Sequence, residues 1–243
     1  MGSHERGFTV IEVILFLAIS GLLLAVAIAA ITTNINNSRF NDAIRSTTSY
    51  LQSQYSEVAA GKSDRDALRG CDAGGINPAA TPLGMTDCVI MGRYIKLEGS
   101  TFTVRYIIGY RNSLLGISAD DTQSVRDMSP RVAADTAYQA SYDVPWGIGL
   151  ANATLWDGDS TRTGFAIIRS PASGNILYYA VRNVPPSPEP ALDDTFIDFN
   201  NLNKDAVLCF ADNSSSRTGR INIQNGQGQE VIQTDLATTG ACS

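Results

Sequence analysis

An uncharged apolar run near the N-terminus constrains this chain more than any other feature. From Val13 to Ile31 the sequence reads VILFLAISGLLLAVAIAAI, and no charged side chain occurs from residue 13 to residue 38. As a helix rising about 1.5 Å per residue, this run would cross roughly 30 Å of hydrocarbon. It is therefore predicted to be a single membrane span. The positive charge of Arg6 predicts that residues 1–7 lie in the cytoplasm and that the part of the chain after the span lies outside it.

The composition narrows the chemistry available to the rest of the chain. The 243 residues carry a formal net charge of -6, and the single histidine is His4. Without an imidazole in the body of the protein, hydrolases with a histidine base and His-ligated zinc sites are excluded. Ser160 and Ser170 lack a base, and no glycine-rich phosphate loop occurs. The sequence therefore predicts a protein that is not an enzyme and that has no cofactor and no metal.

One carboxylate interrupts the apolar N-terminus. Glu12 stands at the start of the run, where an ionised group costs several kcal/mol unless it finds a cation. The segment from Arg6 to Glu12 reads RGFTVIE and is followed by the long uncharged helix. This combination resembles the N-terminus of type IV pilins and of the pseudopilins of type II secretion. The alternative is a plain signal anchor with a stray glutamate.

The resemblance implies a processing and assembly pathway. A prepilin peptidase would cut between Gly7 and Phe8 and methylate the new amino group of Phe8. Glu12 would then face the terminal amine of a neighbouring pilin subunit. The lipid bilayer would hold the subunit before an inner-membrane assembly platform builds it into a surface pilus or a periplasmic pseudopilus. The chain length favours a minor subunit, with a major pilin of the filament shaft as the alternative.

The helix is predicted to continue beyond the apolar run, because no proline occurs before Pro78. Apolar or bulky residues recur every three or four positions, which is the spacing of one helix face. They are Phe40, Ile44, Thr47, Leu51, Tyr55 and Val58. We divide the chain into a leader (1–7), a membrane-spanning stem half (8–33), an amphipathic stem half (34–61) and a β-rich head (62–243).

The head shows the alternation and turn residues of antiparallel strands. Hairpins are expected from residues 89–97 with 101–110 and from 165–169 with 176–182, and a third group covers 206–211, 220–224 and 230–233. Residues 112–160 show no strong period and are expected to form an inserted loop region with a short helix. The predicted fold class is α+β, with the long N-terminal helix packed on an antiparallel β-sheet.

Four cysteines follow the membrane span and therefore lie in an oxidising compartment. They are Cys71, Cys88, Cys209 and Cys242. An even number favours two disulfides. Proximity in sequence favours Cys71 with Cys88 and Cys209 with Cys242, and two other pairings remain open.

Calcium and nucleic acid are the two alternative ligands of the head. Calcium would need oxygens from acidic clusters at residues 120–121, 157–160 or 193–198, none of which has the spacing of an EF-hand loop, so solvated turns are the better account. The C-terminal part is weakly similar to the H-type minor pseudopilins and to related DNA receptors, in which a Gly-Arg-x-Arg patch contacts phosphate. Here Arg220 and the nearby Arg217 are the candidate contacts, and Asn222 replaces the second arginine. Two arginines on an acidic chain make nucleic-acid binding a minor alternative. A DNA-binding or adhesive minor pilin is therefore kept as a further alternative function.

Overall fold

A computed structural model describes residues 9–61, 70–72, 75–77, 88–110, 116, 118–133, 139–154, 162–182, 192, 196–197, 199, 205–212, 217–224 and 231–236. The helices are α1 (Val10–Ala59) and α2 (Asp121–Asp127). The strands are β1 (Gly70–Asp72), β2 (Gly75–Asn77), β3 (Cys88–Glu98), β4 (Thr101–Tyr110), β5 (Arg131–Val132), β6 (Gln139–Asp143), β7 (Gly149–Thr154), β8 (Arg162–Arg169), β9 (Ile176–Arg182), β10 (Ala206–Ala211), β11 (Thr218–Ile223) and β12 (Ile232–Asp235).

Helix α1 is one uninterrupted element of 50 residues. Its bounds confirm the predicted helix, because nothing between Val10 and Ala59 breaks the backbone hydrogen bonds. The chain divides into two compact units, Met1–Asp42 and Ala43–Ser243. The first unit contains the apolar part of α1, and the second contains the last turns of α1 with all the strands.

The described strands form three antiparallel sheets. The largest has six strands in the order β5-β4-β3-β8-β9, with β6 pairing β4 beside β5. A four-stranded sheet has the order β12-β11-β10-β7, and β1 pairs with β2 alone. The α+β class and the three predicted strand groups are confirmed. The expectation of one sheet is wrong, since β10 pairs with β7, β11 with β10 and β12 with β11, and none of the three joins β3, β4, β8 or β9.

The expectation of an inserted loop region at residues 112–160 is also corrected. The short helix expected there is α2, but the same stretch contributes β5, β6 and β7. Strand β6 pairs with β4 over five residues, although its side chains are exposed or half-buried instead of alternating between buried and exposed. Its sequence therefore lacks the period-two pattern, and only its backbone pairing identifies it as a strand.

The predicted apolar face of α1 is confirmed in the second unit. Ile44, Thr47, Leu51, Tyr55 and Val58 are all buried. Helix α1 contacts both large sheets in this unit through its side chains. The rings of Tyr50 and Tyr142 of β6 stack at a centroid distance of 4.1 Å. On the other sheet, the Gln52 side-chain amide donates to the Ile232 carbonyl at 2.9 Å.

A buried guanidinium ties α1 to the largest sheet. Arg93 of β3 is 6% exposed, and its Nη1 donates to Gln54 Oε1 at 2.8 Å. Its Nη2 forms an ion pair with Glu57 and donates to the Tyr106 hydroxyl. The guanidinium carbon also lies 4.7 Å from the centre of the Tyr106 ring. Among the described residues, this cation therefore joins the last turns of α1 to β3 and ties β3 to β4.

We predict that Arg93→Ala lowers the free energy of unfolding by about 3 kcal/mol, because it removes several charge-assisted hydrogen bonds from a buried site. Lys96→Ala is the matched control. Lys96 lies on the same strand but forms its ion pair with the exposed Glu98, so its loss should change the free energy by less than about 1 kcal/mol. Urea unfolding of the full chain in detergent measures both. Equal effects of the two variants would contradict this account.

Candidate functional site

The apolar half of α1 is a large uncovered surface. Its most apolar window has no buried residue, and it is the one helix in the described chain long and apolar enough to cross a membrane. Individual side chains are 45 to 76% exposed from Val10 to Ile35. Exposed apolar surface of this size marks a site for lipid or for other protein chains. The candidate functional site is therefore this helix segment together with its single charge, Glu12.

The first turn of α1 is a capping box. The Glu12 amide donates to Thr9 Oγ1 at 3.3 Å, and the Thr9 amide and hydroxyl each lie 3.5 Å from Glu12 Oε2. The Val13 amide donates to the Thr9 carbonyl and begins the helical pattern. Thr9 is thus the N-cap and Glu12 the third helical residue, the positions that a capping box requires. The spacing of Thr9 and Glu12 in Thr-Val-Ile-Glu is itself a capping-box signal in the sequence.

The contacts of the Glu12 carboxylate are long. At 3.5 Å they exceed the 2.7–2.9 Å typical of a bond between an ammonium and a carboxylate. Glu12 is also the one charged residue between Thr9 and Ser38. Its own helix therefore holds the carboxylate weakly, and an ammonium group would compete well for it.

At the polar end of the apolar segment, the threonine hydroxyls bond to carbonyls of the helix itself. Thr32 Oγ1 donates to the Ile28 carbonyl at 2.9 Å, and Thr33 Oγ1 donates to the Ala29 carbonyl at 3.0 Å. These bonds to the preceding turn leave the threonine methyl groups to face the surroundings. This end of the segment is therefore compatible with lipid and with close packing of helices.

The predicted processing and disulfide residues are only partly described. Gly7, Phe8 and Cys242 lie outside the described residues, and so does the side chain of Cys71. Cys88 and Cys209 are disulfide-bonded. The pairing of the four cysteines stays a prediction.

The candidate DNA contacts are Arg220, which lies in β11, and Arg217, which directly precedes this strand. Arg220 lies directly opposite Asp235 of β12, and its Nε donates to Asp235 Oδ2 at 2.7 Å. A second contact from its Nη2 completes the ion pair. Arg217 precedes the strand, and its carbonyl accepts from the Asp212 amide. A phosphate would therefore have to replace Asp235 as the partner of Arg220.

The acidic pair at residues 120–121 has structural partners. Asp120 caps α2 by accepting from the Gln123 amide at 2.8 Å. Asp121 accepts from the Ser170 hydroxyl at 2.6 Å and from the Asn175 side chain at 3.1 Å. These bonds fasten α2 to the turn between β8 and β9. In the described residues no group of three or more His, Cys, Asp or Glu could hold a metal ion, and the other two acidic clusters lie outside them.

Comparisons with known proteins identify no relative. No protein-family model matches the chain, and no curated protein or solved structure is significantly similar to it. The structure by itself supports a pilin-like architecture, in which a long N-terminal helix with an apolar first half packs on antiparallel sheets.

The Asp121 network predicts a loss of stability in acid. The hydrogen bond from Ser170 is the largest cause that holds the pKa of the Asp121 carboxyl below its ordinary value. A lowered pKa in the folded state means that Asp121 stabilises the fold above its unfolded pKa of about 4, and that this contribution is lost as the pH falls through the folded pKa. Melting temperatures of the wild type should therefore fall below about pH 4 more steeply than those of Asp121→Asn. Ser170→Ala should also make the melting temperature depend less steeply on pH. Parallel curves for all three proteins would contradict the stabilising role of the Asp121 carboxylate.

Proposed function

We propose that this chain is a structural subunit of a type IV pilin-like filament, made as a membrane-inserted precursor and processed between Gly7 and Phe8. The observation that carries the proposal is the uncovered apolar half of α1, whose most apolar window has no buried residue, with one weakly held carboxylate at its start. A helix of this kind needs lipid around it before assembly and other helices around it afterwards. The role is structural and not catalytic.

Processing would supply a cation for Glu12. Cleavage after Gly7 creates an ammonium group on Phe8, and Glu12 carries the complementary charge. In one chain, Glu12 already closes the capping box with Thr9. The ammonium of a neighbouring copy would offer a shorter, charge-assisted bond in surroundings of low dielectric. Lipid is as apolar as leucine, so apolar burial alone gives little preference for a neighbouring helix, and this ion pair would set the register between subunits.

The head would move with the helix during assembly. From Ala43 onward α1 is fixed to the head by its buried face, by Arg93 and by contacts with both large sheets. A machine that extracts the apolar segment from the bilayer would therefore carry the head with it. The proposed partners are the prepilin peptidase, the assembly platform, lipid and other pilin subunits.

Processing is tested by co-expression with a prepilin peptidase. The intact mass of the membrane-bound chain should fall by the mass of residues 1–7 and rise by one methyl group, and sequencing should begin at Phe8. Gly7→Val should block the change, whereas Gly2→Val, a matched substitution within the leader, should not. An unchanged mass in the presence of an active peptidase would leave a plain membrane-anchored domain.

The role of the charge is separated from that of the cap by two variants. Glu12→Gln keeps a residue that completes a capping box but removes the charge, and Thr9→Ala removes the cap but keeps the charge. We expect Glu12→Gln to be inserted and processed normally. Its amount in sheared filaments should fall about tenfold or more, and a tenfold fall corresponds to about 1.4 kcal/mol in the free energy of incorporation. Thr9→Ala should remain in the filaments. Quantitative immunoblots of membrane and sheared fractions measure both. Normal incorporation of Glu12→Gln would show that capping explains the glutamate.

A further inference from the structure

Strand β6 lies at an edge of the six-stranded sheet. In the described residues it pairs with β4 alone, and the register between the two strands has no bulge. The Val144 amide, directly after β6, donates to the Ser100 carbonyl at 2.8 Å and fixes the alternation of the ladder. In an antiparallel pair, every second residue bonds to the same neighbouring strand. The backbone groups of Tyr142 and Ala140 therefore bond to β4.

The backbone groups of the intervening residues of β6 point away from β4. These residues are Gln139, Ser141 and Asp143, and their side chains are exposed. In the part of the chain that the structure describes, no hydrogen bond engages their outward amides and carbonyls. Such a row is a template for another strand, and natural proteins commonly block it with lysine, proline or a bulge. The sequence of β6, QASYD, contains neither lysine nor proline.

Other sheet edges have partners within the chain. At the opposite edge of the six-stranded sheet, Val181 of β9 forms a bridge with Ile197, and the Arg182 amide donates to the Phe196 carbonyl at 2.8 Å. At the β12 edge of the smaller sheet, the Ile232 carbonyl accepts from the Gln52 side chain. Strand β6 differs from both because its outward groups are left for another molecule.

The fold holds β6 in the extended conformation that a further strand requires. The Tyr142 ring stacks on Tyr50 of α1, and its hydroxyl donates to Ser46 Oγ at 3.3 Å. On the opposite face, Asp143 Oδ1 accepts from the Thr101 hydroxyl at 2.7 Å. The edge is therefore formed in advance, and little conformational entropy is lost when another strand pairs with it.

We propose that β6 pairs antiparallel with β6 of a second copy of this chain, about a twofold axis at Ser141. In this register Ser141 faces its counterpart, and Gln139 faces Asp143 of the second copy. The outward backbone groups of each facing pair exchange both of their hydrogen bonds. Two edges with unpaired groups thus become the centre of one continuous sheet.

The side chains of β6 are complementary to themselves in this register. At both ends the Gln139 amide donates to the Asp143 carboxylate of the other copy, whose Oδ2 is available because Thr101 binds Oδ1. On the opposite face Ala140 lies beside Tyr142, and the small alanine leaves room for the ring. A parallel pairing would instead place like charges at Asp143 side by side.

A second copy is therefore the occupant that the charges of this edge favour, since the twofold pairing repeats each favourable contact. Anchoring of both copies in one membrane would raise their effective concentration and strengthen a short pairing of this kind. The contact goes beyond the proposed function, because it uses the head and not the apolar half of α1. It does not depend on processing at Gly7.

Charge substitution at the twofold axis tests the pairing, with sedimentation of the full chain in detergent as the readout. Ser141→Lys places two ammonium groups opposite each other, and Ser141→Asp places two carboxylates there. Each variant alone should raise the Kd of the dimer about tenfold or more, and an equimolar mixture of the two should restore association. The side chain is exposed, so the melting temperatures should not change.

Disulfide crosslinking tests the register. Ser141→Cys should form a covalent dimer under mild oxidation, because facing Cα atoms of a hydrogen-bonded pair lie about 5.5 Å apart, within the range of a disulfide. Ala140→Cys is the matched control on the neighbouring exposed residue. Its own counterpart lies diagonally across the strands at about 7–8 Å, so it should crosslink poorly. Nonreducing gels measure both variants beside the wild type.

Several outcomes would overturn the proposal. A monomer at every concentration would do so, and so would a dimer that Ser141→Lys leaves unchanged, since that dimer would form through the apolar helix. A Ser141→Cys crosslink in membranes to a different protein would identify a foreign strand as the occupant. Glu12→Gln should dimerise as the wild type does, so failure of this pairing is distinguishable from failure of filament assembly.

Discussion

The uncovered apolar surface of α1 is the constraint on which the rest of the structure depends. No side chain of its most apolar window is buried in the chain itself, so the segment must be covered by lipid or by other helices. These two coverings are nearly equivalent in apolar burial, which allows a chain to pass from one to the other. The choice between them then rests on polar groups, and the segment has one charged group, Glu12. Its long contacts with Thr9 leave it ready for a stronger partner.

The second half of α1 packs on the sheets of the head. It must attach a polar head to the apolar segment without exposing unpaired groups in the interface. The hydroxyls of Thr47 and Thr48 bond to carbonyls of the preceding turn, while Thr48 also accepts from Thr234 of β12. Arg93 and Tyr142 supply the contacts with the larger sheet. The helix thus buries an apolar face, and its polar positions bond either to its own carbonyls or to groups of the two sheets.

Local patterns predicted the elements, while their assembly depended on contacts distant in sequence. The helix and its buried face follow from uninterrupted periodicity, and the hairpin turn at Gly99 follows from turn chemistry, with φ = +58° there. Strand β6 was missed because none of its side chains is fully buried, so its pairing with β4 leaves no alternating pattern in its sequence. The partners of Arg220 and Asp121 lie 15 and 49 residues away, and no local spacing could reveal them. The capping box of Thr9 and Glu12 was readable and was overlooked. The processing of Gly7 and Phe8 rests on resemblance alone.

The most direct measurement is photo-crosslinking from inside the apolar segment. A benzoylphenylalanine in place of Leu17, which is 63% exposed, reports what covers this surface. Our account predicts adducts with lipid in the inner membrane and adducts with the apolar helices of pilin subunits in sheared filaments. Cells without a prepilin peptidase should yield only the lipid adducts. Lipid adducts alone in every fraction, with no chain in the sheared material, would contradict the claim that this helix is an assembly surface.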